Sequence, residues 1–245
     1  MLSLKKVSKY YGNDPKMSAV ENLDFKISPN EFVCIIGRSG CGKTSTLRMI
    51  AGLEDISRGS ICLNGRKIIG PGADRCVVFQ RYTLFPWRNI LSNIAFGLEI
   101  QGLKKKERDR IARKYLALVG LEDHASAFPY QLSGGMQQRV AVARALATDP
   151  EVLLMDEPFG ALDAQTRMGL QNELINIWQT DQKTILFVTH SIDEAICLAD
   201  RIIIMKSNPG RIHQIISNPL ARPRDHNSTA SRALYRKIHA SLEKI

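Results

Sequence analysis

The sequence predicts an α/β fold. Short, continuously apolar segments recur along the chain, and stretches with helical periodicity lie between them. A glycine-rich turn follows the first fully apolar segment and opens directly into a helix, which is how an α/β unit begins.

Taken in order, residues 2–7 alternate apolar and polar side chains, and residues 19–27 do the same before the turn Ser28-Pro29-Asn30. Both read as half-buried strands. Phe32-Val33-Cys34-Ile35-Ile36 has no polar side chain between Glu31 and Gly37, as expected of a strand covered on both faces in a parallel sheet. The next helix spans residues 44–51, with Leu47, Ile50 and Ala51 at helical spacing. From residue 90 to about 148 the character is helical, and Ile111, Tyr115 and Leu118 supply one apolar face. Strand character returns at residues 152–155, 185–188 and 202–205, separated by helical stretches at 164–179 and 192–199. The tail after Pro219 is polar and ends in a short amphipathic helix.

Composition sets limits. The chain has 245 residues, 44% hydrophobic and 24% charged, which is ordinary for a globular protein and unlike a disordered one. No apolar run approaches the roughly 18–20 residues that cross a bilayer. Nothing resembling a signal-peptide core follows the charge at Lys5-Lys6, so a cytoplasmic location is expected. The five cysteines, Cys34, Cys41, Cys62, Cys76 and Cys197, form no CxxC pair and read as reduced thiols.

The net charge of +10 is concentrated. Residues 101–115 carry seven basic side chains against two acidic, and residues 216–245 carry six against two. Both stretches read first as solvated helical faces, with a basic surface for anionic lipid or an acidic partner as the alternative.

Gly37-Arg38-Ser39-Gly40-Cys41-Gly42-Lys43-Thr44 fits the spacing G-x-x-x-x-G-K-[ST]. Glycines let backbone N–H groups wrap a polyphosphate, and the helix behind adds its positive end. Lys43 would meet the β- and γ-phosphates and the Thr44 hydroxyl would ligate Mg²⁺. Val152-Leu153-Leu154-Met155 ends in Asp156-Glu157, two carboxylates that suit Mg²⁺ and the attacking water respectively. Together these segments specify a nucleoside triphosphatase with a P-loop core.

Leu132-Ser133-Gly134-Gly135-Met136-Gln137-Gln138-Arg139 stands between them, opening a helix expected over residues 137–147. With this stretch the sequence resembles the ATP-binding cassette ATPases over nearly its whole length. The resemblance implies a RecA-like core with a parallel sheet and an antiparallel β subdomain (residues 1–88 and 149–215). It also implies an inserted α-helical subdomain (89–148) and a C-terminal helical tail (216–245). By resemblance, residues 37–45, including Ser45, bind ATP, while Ser133, Gly134, Gly135 and Gln137 face the ATP of a second protomer. Gln80 matches the glutamine that reaches metal and water, His190 the histidine on the γ-phosphate, and Asp163 a residue coupling two sites. Tyr11 matches the aromatic that stacks on adenine, with adjacent Tyr10 as the alternative. His124, His213, His226 and His239 lack such a context and read as surface residues. Arg38 stands where the family usually has proline, and Ser191 where it often has aspartate; neither position supplies an essential group.

No membrane span is fused and only one cassette is present, so the resemblance implies a separate ATPase subunit of a bacterial transporter. Its partners would be a second copy and two membrane permease subunits at the cytoplasmic face, with an extracytoplasmic binding protein delivering cargo. Residues 70–75, 77–80 and 84–89, together with Asn208-Pro209-Gly210-Arg211-Ile212, resemble the nitrate, sulfonate and taurine importer branch. A thiamine precursor is an alternative cargo, and a soluble cassette acting on nucleic acid or ribosomes is the competing class. ATP and Mg²⁺ are the expected cofactors, and no nucleic-acid partner is expected.

Overall fold

The first strand, β1 (Leu2–Tyr10), buries Leu2, Ser3 and Leu4 in succession and then exposes both Lys5 and Lys6 before Val7 turns inward. A bulge interrupts the expected alternation: the register with β2 (Ser18–Ile27) shifts between Leu4 and Val7, and Lys6 adopts φ +49°. After β3 (Phe32–Gly37), α1 (Lys43–Ala51) and β4 (Arg58–Leu63), the two-residue β5 (Arg66–Lys67) completes an antiparallel sheet ordered β2-β1-β4-β5. Opposite the bulge, Gly59 has φ +88°, and a Cβ there would come within 2.4 Å of the Lys6 carbonyl oxygen. The computed structural model describes residues 1–11, 18–80, 83–160, 162–225 and 227–245.

The chain divides into two compact units, one of residues Met1–Gly72 and Lys183–Ile245 and the other of Ala73–Gln182. In the second, β6 (Arg75–Val78) runs parallel to β7 (Val152–Asp156), pairing Arg75 with Val152 and Val78 with Met155. Its helices are α2 (Ile90–Ile100), α3 (Lys105–Leu118), α4 (Gly134–Ala147) and α5 (Ala164–Asp181). Asn93 is fully buried and works for the backbone before α2: its Oδ1 accepts from Phe85 N at 2.8 Å and its Nδ2 donates to the Arg88 carbonyl at 2.9 Å. The buried face of α3 is Ala112, Tyr115 and Leu116, while Leu118 is 36% exposed. That face is turned from the expected one because Ala112 and Leu116, four apart, fall on the same stripe as Val119.

The first unit resumes with β8 (Thr184–Thr189), α6 (Ile192–Leu198), β9 (Arg201–Lys206), β10 (Arg211–Ser217) and α7 (Thr229–Glu243). β3 lies between β8 and β9 and is parallel to both, with Ile35 opposite Val188 on one side and Ile203 on the other. Every residue of β3 and β8 is buried, so the apolar runs 32–36 and 185–188 follow from being covered on both faces. β10 closes that edge antiparallel to β9. The tail is tied to α6: Asn218 Nδ2 donates to the carbonyls of Ile196 and Ala199, and Arg224 donates to Ile196, Cys197 and Ala199. Two of the tail's basic residues, Arg222 and Arg224, are therefore not part of a solvated face; Arg222 pairs with Asp200 and the Arg224 side chain is 2% exposed. Among the described residues no helix is long and apolar enough to cross a membrane.

Candidate nucleotide site

The loop between β3 and α1 requires glycine. Gly42 precedes α1 with φ +89°, and a Cβ there would sit 2.2 Å from Val20 Cγ1 and 2.9 Å from the Ala19 carbonyl oxygen. At Gly37 a Cβ would meet the Met205 carbonyl oxygen at 2.6 Å. A glycine at the N-cap contributes no side-chain acceptor, the arrangement in which a helix N-terminus takes an anion. Lys43 is 6% exposed and its Nζ donates to the Gly37 and Arg38 carbonyls at 2.8 and 3.2 Å. The ammonium is thus already gathered into the loop that would surround a phosphate. Arg38, Ser39 and Gly40 are exposed, and Thr44 and Ser45 are half-buried at the start of α1. Cys41 is 1% exposed, and burial raises its thiol pKa, keeping it neutral beside the loop.

Tyr11 is 48% exposed. Its hydroxyl donates to Glu54 and lies 3.3 Å from Ser45 Oγ, while Lys9 Nζ sits 5.3 Å from its ring centroid. Burial and then the Glu54 hydrogen bond raise the phenol pKa, so the hydroxyl stays protonated. The neighbouring Tyr10 ring instead carries the Arg58 guanidinium at 5.7 Å. Glu54 has no signal in the local sequence, because it approaches Tyr11 from 43 residues away.

His190 is exposed and follows the last residue of β8; Ser191 caps α6, its Oγ accepting from Glu194 N at 3.3 Å. The departure at Ser191 therefore keeps an N-cap acceptor in place. Of the other histidines, His213 and His239 are exposed, His124 is half-buried, and His226 lies outside the described residues.

In the second unit, Gln80 and Glu157 converge on Gly160. A Cβ at Gly160 would lie 3.4 Å from Gln80 Nε2 and 4.0 Å from Glu157 Oε2. Asp156 ends the buried strand β7 at 9% exposure, and Glu157 follows with φ +44°, a conformation that costs free energy in a residue bearing a Cβ. The signature helix starts earlier than expected. Ser133 is the N-cap of α4, its Oγ accepting from Met136 N at 3.3 Å, so Gly134 and Gly135 form the first turn. Gly135 is buried, and a Cβ there would press on Thr166 Cγ2 at 2.5 Å. Gln137 Nε2 donates to the Leu132 carbonyl at 3.1 Å. Asp163 caps α5, accepting from Thr166 N at 3.0 Å, and that N–H holds its carboxyl below the usual aspartate range. Ala161, between Gly160 and Leu162, lies outside the described residues.

A glycine loop opening a helix behind a buried parallel strand, with a carboxylate pair ending another, defines a nucleotide-binding cassette. A family model described as ABC transporter matches residues 20–160, and the chain belongs to that family. An uncharacterised ABC transporter ATP-binding protein of Methanocaldococcus jannaschii is 55% identical over 92% of this chain and 84% of its own length. The nitrate import ATP-binding protein of a Synechocystis strain is 49% identical over 84% of this chain and 77% of its own. An aliphatic sulfonates import ATP-binding protein of Bacillus cereus is 43% identical over 99% of this chain and 96% of its own. Among solved structures, a dimeric post-hydrolysis ATP-binding cassette bound to ADP and Pi superposes with a TM-score of 0.79 at 32% identity, covering 90% of this chain and 100% of that one. The chain is an ABC ATPase, a nucleotide-binding subunit of the importer type.

Proposed function

We propose that the chain hydrolyses ATP as a homodimer beneath two membrane permease subunits, at the cytoplasmic face of a bacterial inner membrane. The imported solute is a small anion (an aliphatic sulfonate, taurine or nitrate) delivered by an extracytoplasmic binding protein. The cargo follows the names of relatives for sulfonates, nitrate and taurine at 43, 49 and 50% identity. The observation that carries the hydrolytic reading is the convergence of Glu157 and Gln80 on Gly160 at the end of β7.

In this reading, residues 37–45 of one protomer hold the phosphates, with Lys43 moving from loop carbonyls to the β- and γ-oxygens. Ser133, Gly134, Gly135 and Gln137 of the partner protomer close the same ATP from the other side. Tyr11 stacks on adenine and Asp163 links the two sites. Thr44, Gln80 and Asp156 would hold Mg²⁺, which supplies charge neutralisation at the phosphates. Glu157 orients the attacking water and His190 holds the γ-phosphate, so catalysis comes mainly from positioning and preorganised charge.

Glu157→Gln tests this. The variant should bind ATP as the parent does, lose turnover by at least about a hundredfold, and accumulate an ATP-dependent dimer in size-exclusion chromatography. Undiminished hydrolysis would remove Glu157 from the chemistry and with it the proposed site.

A further inference from the structure

The elbow between β8 and α6 consists of His190, and both of its neighbours are tied to a single carboxylate. Ser191 is the N-cap of α6 and Glu194 its third residue, the Ser-x-x-Glu spacing of a capping box. Half of the box is regular, with Ser191 Oγ accepting from Glu194 N at 3.3 Å. In the other half, a glutamate ordinarily reaches back to the N–H of the cap residue. Here the Ser191 N–H donates to Thr189 Oγ1 at 3.1 Å, and that hydroxyl donates in turn to Glu194 Oε2. The return arm thus runs through the last side chain of β8. One carboxylate holds a strand end and a helix start together, and His190 sits between the two attachment points.

Thr189 is 2% exposed and Glu194 5%. Burying a carboxylate is costly unless hydrogen bonds repay its lost hydration, and Ser191 alone already caps the helix. We propose that Glu194 is a positioning residue, fixing the His190 backbone through Thr189 and Ser191 so that the imidazole stands ready for the γ-phosphate. This rests on the reading of His190 given above. The bond order defines what is required at residue 194. The Thr189 hydroxyl spends its proton on Glu194, so the residue there must present an acceptor oxygen, which glutamine retains and alanine lacks.

The test is a kinetic cycle on the purified chain, with thermal unfolding measured alongside. Glu194→Ala should lower kcat about tenfold with KM for ATP changed less than about twofold, as expected of a misplaced transition-state contact. Glu194→Gln should retain most of kcat. Added to His190→Ala, the Glu194→Ala change should cost no further activity, because its effect passes through the histidine. Thr189→Val removes only the relaying hydroxyl and should reproduce the kcat loss, which keeps the test available if Glu194→Ala does not fold. A lowered unfolding temperature with unchanged kcat would reduce Glu194 to a helix cap and overturn the proposal. Effects that multiply in the double variant would overturn it too, by placing Glu194 on a separate route. His190→Ala with parental kcat would strike down the assignment of His190 itself, and is read without reference to residue 194.

Discussion

Asp163 caps α5 by accepting from Thr166 N at 3.0 Å, and hydrogen bonds from Thr166, that N–H first and then its side chain, depress its carboxyl pKa. A depressed folded-state value means the cap's stabilisation is complete above the ordinary aspartate range and is lost as pH falls through the depressed value. Urea midpoints followed from about pH 6 to about pH 2.5 should therefore fall less steeply for Asp163→Asn than for the parent. Identical slopes would mean that Asp163 takes no part in the acid limb. The identities of Lys43, Thr44, Asp156 and Glu157 were legible because a phosphate loop and a strand-end carboxylate pair have fixed local spacing. The Tyr11–Glu54 bond was not, since a hydrogen bond across 43 residues leaves no local pattern. Glu194 lay between these cases: its Ser-x-x-Glu spacing was visible, but the detour through Thr189 depends on how β8 meets α6.

Among the elements, α6 shows how far a charge count can mislead. Arg224 Nη1 donates to the carbonyls of Ile196, Cys197 and Ala199 at 2.9, 3.1 and 2.8 Å, and its Nε to Leu220 at 2.9 Å. These include carbonyls a helix end leaves without intrahelical partners. Burial and the neighbouring Arg222 push its pKa down to about 10, so it remains charged at neutral pH and suited to that end of the helix dipole. Arg224→Ala should cost about 1–3 kcal/mol in urea unfolding, while exposed Arg232→Ala should change stability by less than about 0.5 kcal/mol. Equal losses would refute a capping role for Arg224. The strands β3, β7, β8 and β9 were readable as apolar runs because parallel strands covered on both faces have no polar side to show. The bulge in β1 was hidden, since one extra residue leaves a short alternating pattern almost intact.

For the molecule as a whole, ligand linkage gives the simplest check. Mg·ATP at about a hundred times its Kd should add about 2.7 kcal/mol to the nucleotide-binding state, a rise of roughly 5–10 °C in unfolding temperature for a chain of this size. Lys43→Ala should lose most of that rise, and a full rise in the variant would separate the loop from nucleotide binding. Fold class followed from the order of local segments, whereas strand neighbours did not, because β3 pairs with β8 and β9 across more than 150 residues of chain. That pairing sets a timetable for biosynthesis. At ribosomal rates of about 5–20 residues per second, β3 waits roughly 8–30 s before its parallel partners exist. Throughout that interval a six-residue segment with no polar side chain is presented to the cytosol on a nascent chain. The strand that will be most deeply buried is therefore the one most dependent on early shelter by chaperones, and substitutions that slow elongation beyond residue 37 would be felt as aggregation rather than as lost ATPase activity.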